Sequence, residues 1–358
     1  MQAAKKIHVN ALEDIELCDE IHDVLRSAWS KGDFTHTGYG HFFQNQYAQF
    51  CGSIYAFSSS LRNSLKETLI ALRLPERSEV ICPSWISVEH VQSILSLGLT
   101  PIFAEINPYT LSLDYSDVSH KLNANTSAVV LNYPFGFPTD PCTYVELCKH
   151  HKIKLIEIVP AAIGSTVDDQ FIGTFGDIGI FEMHPNQKYS NKRDCMIVTD
   201  NADIHQHFSK KGLHKFSQID GVLGMHFLET FDKHQLNRKE IAQRYHQCFT
   251  KILHLSVLYE LANANWVHQM YPIRVSHKIR AALVHELKRA DIDFELPETP
   301  AHLYSYIQTV LRPPQLMTTE RLMREIIFLP IAPEMRIEEQ NIMIETIMQF
   351  FQKNHLYL

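Results

Sequence analysis

Glu79-Val80-Ile81-Cys82-Pro83-Ser84 is a short apolar run with no polar alternation, closed by a proline. A strand written this way is covered on both faces, because a strand with one wet face alternates. The same kind of run recurs at Thr100-Pro101-Ile102-Phe103, Ser127-Ala128-Val129-Val130-Leu131 and Ile153-Lys154-Leu155-Ile156. Helical patterns over 61–72, 88–97 and 141–151 separate these runs. Strands alternating with helices predict an α/β fold built on a mostly parallel sheet. Ile178-Gly179-Ile180-Phe181 and Cys195-Met196-Ile197-Val198-Thr199 add two later strands.

Upstream, Leu12, Ile15, Ile21, Val24 and Leu25 recur at helical spacing, and a polar, aromatic-rich stretch over 32–50 follows. Downstream, a long helical pattern covers 224–254. The last hundred residues read as α+β, with a strand near 270–275 and helices over 278–289 and 337–353. The expected organisation is an N-terminal arm and helix over 1–50, a large domain over 51–240 and a small C-terminal α+β domain over 241–358. No internal repeat or long linker interrupts it.

The 358 residues are 45% hydrophobic and 20% charged, enough for a substantial core. Lysine and arginine total 33 against 40 acidic side chains, a net charge of −7 with no dense basic run. Such a balance predicts neither a nucleic-acid partner nor an anionic membrane surface. No apolar stretch approaches the roughly 18 residues of a membrane span. Glu13, Asp14, Glu16, Asp19 and Glu20 near the start argue against a signal peptide. Seven scattered cysteines without a C-x-x-C pair read as reduced thiols, and the expected location is cytoplasmic. Glycine, at 13 residues, is about half its usual ~7%, leaving few places where backbone wraps a phosphate closely.

The order of these elements, and several local motifs, resemble the DegT/StrS-type nucleotide-sugar aminotransferases. Glu79-Val80-Ile81-Cys82-Pro83-Ser84 is similar to the family's D-E-V-I-x-P-S. The run Pro101-Ile102-Phe103-Ala104-Glu105-Ile106-Asn107-Pro108-Tyr109-Thr110-Leu111 is similar to P-x-F-x-D-x-D-P-x-T-L. Thr174-Phe175-Gly176-Asp177 resembles S-F-G-D, and Phe328-Leu329-Pro330-Ile331 with Pro333-Glu334-Met335 resembles L-P-I-x-P-x-L. The resemblance implies the fold-type I architecture of pyridoxal-phosphate (PLP) transferases, with a large and a small domain, and a homodimer whose sites form across the subunit interface.

At the cofactor site that the resemblance implies, this chain departs repeatedly. The Schiff-base lysine of the family's F-S-F-x-P-x-K falls on Gln187 within Phe181-Glu182-Met183-His184-Pro185-Asn186-Gln187-Lys188, and Lys188 is one residue on. An amide cannot join the cofactor aldehyde. The aspartate that holds the pyridine nitrogen protonated corresponds to Ile158. The phosphate loop S-S-G-T-A becomes Ser59-Ser60-Leu61-Arg62-Asn63, and the hydroxyl of F-S-F becomes Glu182. Glu182 against a phosphate costs up to ~4 kcal/mol per charge pair at 4 Å and an effective dielectric of 20. The ion-pair partners considered for it are Arg62, Lys192 and Arg193. The stacking ring falls on Ser87, with Trp85 two residues earlier, and G-Y-N-Y-R-M becomes Gly221-Val222-Leu223-Gly224-Met225.

Two functional readings follow. In the first, the substitutions mark a catalytically degenerate homologue (a pseudoenzyme) that takes no cofactor. It acts in nucleotide-sugar or surface-polysaccharide biosynthesis as a sugar-binding protein or as partner of a paralogous aminotransferase. In the alternative, the chain is a PLP-dependent aminotransferase converting a keto-sugar nucleotide to an amino sugar, with Lys188 as the lysine and Trp85 as the stacking ring. Either way Ser60, Arg62, Asn63, Trp85, Ser87, Ile158 and Glu182 mark the cofactor positions, most of them substituted. His184 is the histidine to test among 21. Cys148, His150 and His151 cluster in sequence, but adjacent histidines on a helix end point apart, so no metal site is expected.

Overall fold

Alternate residues of the unalternating strands turn to opposite helical layers, which is why neither set is polar. In the computed structural model, Val80, Cys82, Ala128, Val130, Ile156 and Ile158 enter one buried cluster, while Ile81, Val129, Leu131, Leu155 and Val159 enter another. The structure describes residues 22–23, 26–27, 29–30, 32, 38–160, 163–183, 194–211 and 216–354.

The first part of the chain runs α1 (Gly38–Cys51), β1 (Tyr55–Ser60), α2 (Leu61–Ala71), β2 (Glu79–Pro83), α3 (Val88–Ser96) and β3 (Thr100–Ala104). It continues through α4 (Tyr115–Lys121), β4 (Thr126–Asn132), α5 (Cys142–His151) and β5 (Lys154–Pro160). The short strands β6 (Thr166–Val167) and β7 (Gln170–Phe171) precede β8 (Ile178–Met183), β9 (Asp194–Thr199) and α6 (Ala202–Lys211). Seven strands make one sheet in the order β1-β9-β8-β5-β4-β2-β3. The pairs from β3 through β8 are parallel, and β9 joins β8 and β1 antiparallel. One layer is led by Leu61, Leu65 and Leu69 of α2, Val91 and Ile94 of α3 and Phe208 of α6. The other is led by Phe43 and Tyr47 of α1 and Tyr144 and Leu147 of α5.

Helix α7 (Gln218–Phe249) is 32 residues long and is started by a capping box in which Ser217 and Asp220 satisfy each other's backbone N–H. Its early residues Met225 and Leu228 pack against the first core, and Ile241, Ala242, Tyr245 and Phe249 belong to a second. That second core covers a three-stranded sheet of β10 (Leu255–Val257), β12 (Tyr271–Val275) and β13 (Ile326–Leu329). β11 (Ala264–Asn265) pairs instead with β6. Helices α8 (His277–Arg289) and α11 (Ile337–Lys353) close the second core, and α9 (Ser305–Leu311) and α10 (Met317–Glu325) lie between them in sequence.

The α/β reading and the mostly parallel sheet agree with this architecture, and 337–353 matches α11 residue for residue. The elements not anticipated include α1 and β1. The stretch over 32–50 contains α1, whose Phe43, Tyr47 and Cys51 face the core at helical spacing. Tyr55–Ser60 forms β1, whose serine-rich end hides its strand character. The proposed N-terminal helix falls mostly outside the described residues. Among the described residues no helix is long and apolar enough to cross a membrane.

Candidate active site at the carboxyl edge of the sheet

Parallel strands bring their carboxyl ends to one edge, and open α/β sheets bind ligands there. Strand pairing places Asn132 beside Ile158, Ile158 beside Ile180 and Pro160 beside Glu182. Glu182 pairs in turn with Cys195, and Cys195 with Ser59. Asn132 and Ile158 therefore lie in one row, and Glu182, Cys195 and Ser59 in the next, two residues nearer the edge, all on the face covered by α2 and α3.

Glu182 does not pair with Arg62, as was considered from sequence. Its Oε1 lies 2.8 Å from Nε2 of His90 in α3, with both side chains buried. The histidine sits two residues beyond the first helical position, and its reach across the layer settles where the carboxyl goes. The charge feared against a phosphate is thus held inward. Burial, then the neighbouring Glu182, pushes the Cys195 thiol far up, so it is inert as a nucleophile.

Ile158 is 1% exposed and packs in the α2–α3 core, so it offers no polar atom at the family's aspartate position. The acid next to it in sequence does not substitute. Glu157 points to the opposite face and accepts from Tyr133 Oη at 2.5 Å and from the backbone N–H groups of Gly173, Phe175 and Gly176 at 2.9, 2.7 and 2.6 Å. Burial pushes its carboxyl up and these four donors pull back against it. Its work is to hold the Thr174-Phe175-Gly176-Asp177 turn.

At the other end of the row, Ser60 is the N-cap of α2 and makes no side-chain capping bond, so the first-turn N–H groups lack a cap from it. Arg62 and Asn63 in that turn are exposed. A helix N-terminus carrying an arginine favours an anion by about 1–2 kcal/mol. Ser87 is the N-cap of α3 and donates its hydroxyl to Glu89, so it cannot replace a ring. Trp85 is half-buried on the same loop, with Phe135 edge-on at 5.3 Å. Gly221 and Gly224 serve packing instead: a Cβ at Gly221 would lie 2.3 Å from the Tyr39 backbone, and one at Gly224 2.5 Å from the Phe43 ring. They let α7 approach α1.

His184, Gln187, Lys188, Lys192 and Arg193 lie outside the described residues. The ends of their segment are fixed, however, since Met183 pairs with Asp194 and Asp194 with Ser60. The segment leaves from and returns to the row just described.

The buried atoms at this edge without a hydrogen-bond partner among the described residues include His90 Nδ1 and Asn132 Oδ1. Sequence reasoning missed both side chains. The α2 terminus that Ser60 leaves without a side-chain cap, the inward-held Glu182 and the open acceptor on Asn132 fit an anionic, flat-ringed cofactor, with an amide one strand over from the position where an acid was expected. Among the described residues no three His, Cys, Asp or Glu side chains are placed to share a metal ion.

The sheet order and this edge define a fold-type I transferase. The model of the DegT/DnrJ/EryC1/StrS aminotransferase family matches residues 14–348, and the chain belongs to that family. It is 28% identical over 244 residues to the GDP-perosamine synthase of Escherichia coli O157:H7, covering 63% of this chain and 66% of that one. The matched stretch thus spans just under two thirds of that relative. The Bacillus subtilis (strain 168) spore coat polysaccharide biosynthesis protein SpsC is 23% identical with 93% of both chains covered. DesV of S. venezuelae, solved in complex with a ketimine intermediate, superposes with a TM-score of 0.87 at 19% identity, covering 97% of this chain and 99% of that chain. NtdA of Bacillus subtilis, solved with bound cofactor PMP, gives 0.85 at 19% identity over 98% and 86%.

These relatives correct the expectation that the chain takes no cofactor. Family and neighbours are PLP-dependent aminotransferases, which favours PLP over none. The substitutions at Ile158 and Glu182 were weighed as losses because their spatial neighbours, Asn132 and His90, are far away in sequence.

Proposed function

We propose that the chain is a PLP-dependent aminotransferase that converts a keto-sugar carried by a nucleotide into the amino sugar, with Lys188 as the lysine that joins the cofactor. The family and the resemblance to GDP-perosamine synthase support this over a sugar-binding or scaffolding role. The carrying observation is the α2 terminus that Ser60 leaves without a side-chain cap, with exposed Arg62 and Asn63, standing at the same sheet edge that anchors the Lys188 segment.

When bound, PLP supplies an electron-poor ring that accepts negative charge from the carbon bearing the transferred nitrogen. Ser60, Arg62 and Asn63 would hold its phosphate through the helix end and the guanidinium. Trp85 would supply the aromatic face for its ring. Gln187 can orient a polar group but cannot make the covalent link, whereas the Lys188 amine can make it and also carry the proton between substrate carbon and solvent. His90 keeps Glu182 from repelling the phosphate. The reading includes a homodimer, which is supported by Tyr39 and Phe42 of α1 being 45% and 50% exposed.

The test is borohydride reduction of the protein after mixing with excess PLP, followed by peptide mass analysis. A pyridoxyl adduct on Lys188, lost in Lys188→Ala together with amino transfer, is the expected result. Absence of any lysine adduct in the wild type overturns the proposal.

A further inference from the structure

Asn132 ends β4 at the middle of the sheet edge and is 5% exposed. Its orientation is set from two sides. Ser112 Oγ donates to the Asn132 carbonyl at 2.6 Å, and Asn132 Nδ2 donates to the carbonyl of Trp85 at 2.9 Å. With Nδ2 committed, Oδ1 is the open atom, and it has no donor among the described residues. A buried acceptor left this way carries a desolvation penalty, which a ligand donor removes on binding.

Register supplies the position. Asn132 and Ile158 are Cα partners on adjacent parallel strands, so their side chains share a face about 5 Å apart. Ile158 is where the resemblance expects the acid facing the cofactor ring nitrogen. The other carboxyl groups nearby are engaged, Glu157 by four donors on the opposite face and Glu182 by His90. The atom left to meet a ring N–H is the amide oxygen one strand over.

We infer that Asn132, through Oδ1, accepts the hydrogen bond of the cofactor's ring nitrogen in this chain. The inference rests on the PLP reading proposed above. Because Nδ2 is turned to the Trp85 carbonyl, the amide is oriented with Oδ1 as its open acceptor, and an acceptor there selects the protonated ring. Unlike an aspartate it brings no charge, so protonation of the ring is favoured less strongly. Asn132 is here a cofactor-binding residue, and its tie to Trp85 fixes the stacking loop and the ring acceptor together.

The test compares equilibrium binding of PLP with binding of its analogue in which the ring nitrogen is replaced by C–H, read by absorbance titration of the wild-type protein and of Asn132→Leu. Wild type should bind PLP about tenfold or more tightly than the analogue, and Asn132→Leu should bind the two within about twofold of each other. Equal binding of PLP and analogue by the wild type overturns the inference and leaves the aminotransferase reading standing; that comparison needs no variant to fold. No binding of either compound overturns both. A preference for PLP that survives unchanged in Asn132→Leu overturns the role of Asn132 alone.

Discussion

His90 Nε2 and Glu182 Oε1 meet at 2.8 Å across the layer between α3 and β8, both nearly sealed from solvent. Removing one member of such a pair leaves a buried carboxyl without its histidine, and cases of this kind lose roughly 3–5 kcal/mol. His90→Leu should therefore lower the unfolding free energy by that order, seen as a lower urea midpoint with little change in slope. The double variant His90→Leu/Glu182→Leu should regain most of the loss, since paired replacement by apolar groups is often neutral. Equal instability of single and double variants would show that the contact contributes nothing.

That pair also marks where sequence stops being informative. The strands 79–82, 127–131 and 153–156 were legible because burial on both faces removes polar residues from a run. β1 was not, since Ser58, Ser59 and Ser60 replace apolar residues at the end where the strand meets the site. Glu182 invited a search among Arg62, Lys192 and Arg193, yet the partner the structure shows is a histidine 92 residues away, brought in by the β2–α3 connection. Asn132 carried no sequence signal beyond ending an apolar run. Ile158 packs in the core, and its apolar side chain gave no hint of the amide placed beside it by register.

Gly179 of β8 lies under the carbonyl of Gly173, in the turn that Glu157 holds, and a Cβ there would sit 1.8 Å from Gly173 O. The contact is backbone, so no flexible side chain can yield. Gly179→Ala should destabilise by about 3 kcal/mol, the upper range for overpacking. Intact thermal stability in the purified variant would refute this.

Ser84, just past β2, is fully buried and ties the large sheet to the segment around residue 302. Its hydroxyl oxygen lies 2.5 Å from His302 Nδ1 and accepts from the His302 backbone N–H at 3.1 Å, while its carbonyl accepts from Ala301 N–H at 2.8 Å. The far ring nitrogen of His302 lies 3.4 Å from Glu320. Ser84→Ala strands two polar atoms of His302, at a cost of about 2 kcal/mol. Proteolysis should then cut first near residues 300–303, and an unchanged digestion pattern would count against the tie.

His268 sits beside Trp266, ring centroids 3.9 Å apart, 8% exposed and with Nδ1 lacking a partner among the described residues. Burial, aided by Lys239 and His246, pushes its imidazole down to about 3. The folded protein therefore keeps this ring neutral while the unfolded chain protonates it below about 6.5. Between those two values the unfolded state binds one more proton, so stability falls as pH drops, by about 1.4 kcal/mol per unit from this group. Above pH 6.5 the group contributes no slope. His268→Phe keeps an aromatic ring against Trp266 but does not titrate. From pH 7 to pH 5 the wild type should lose about 2 kcal/mol more than His268→Phe in urea unfolding. Parallel loss in both proteins over that window would mean that the ring is already charged, or solvated, in the folded state.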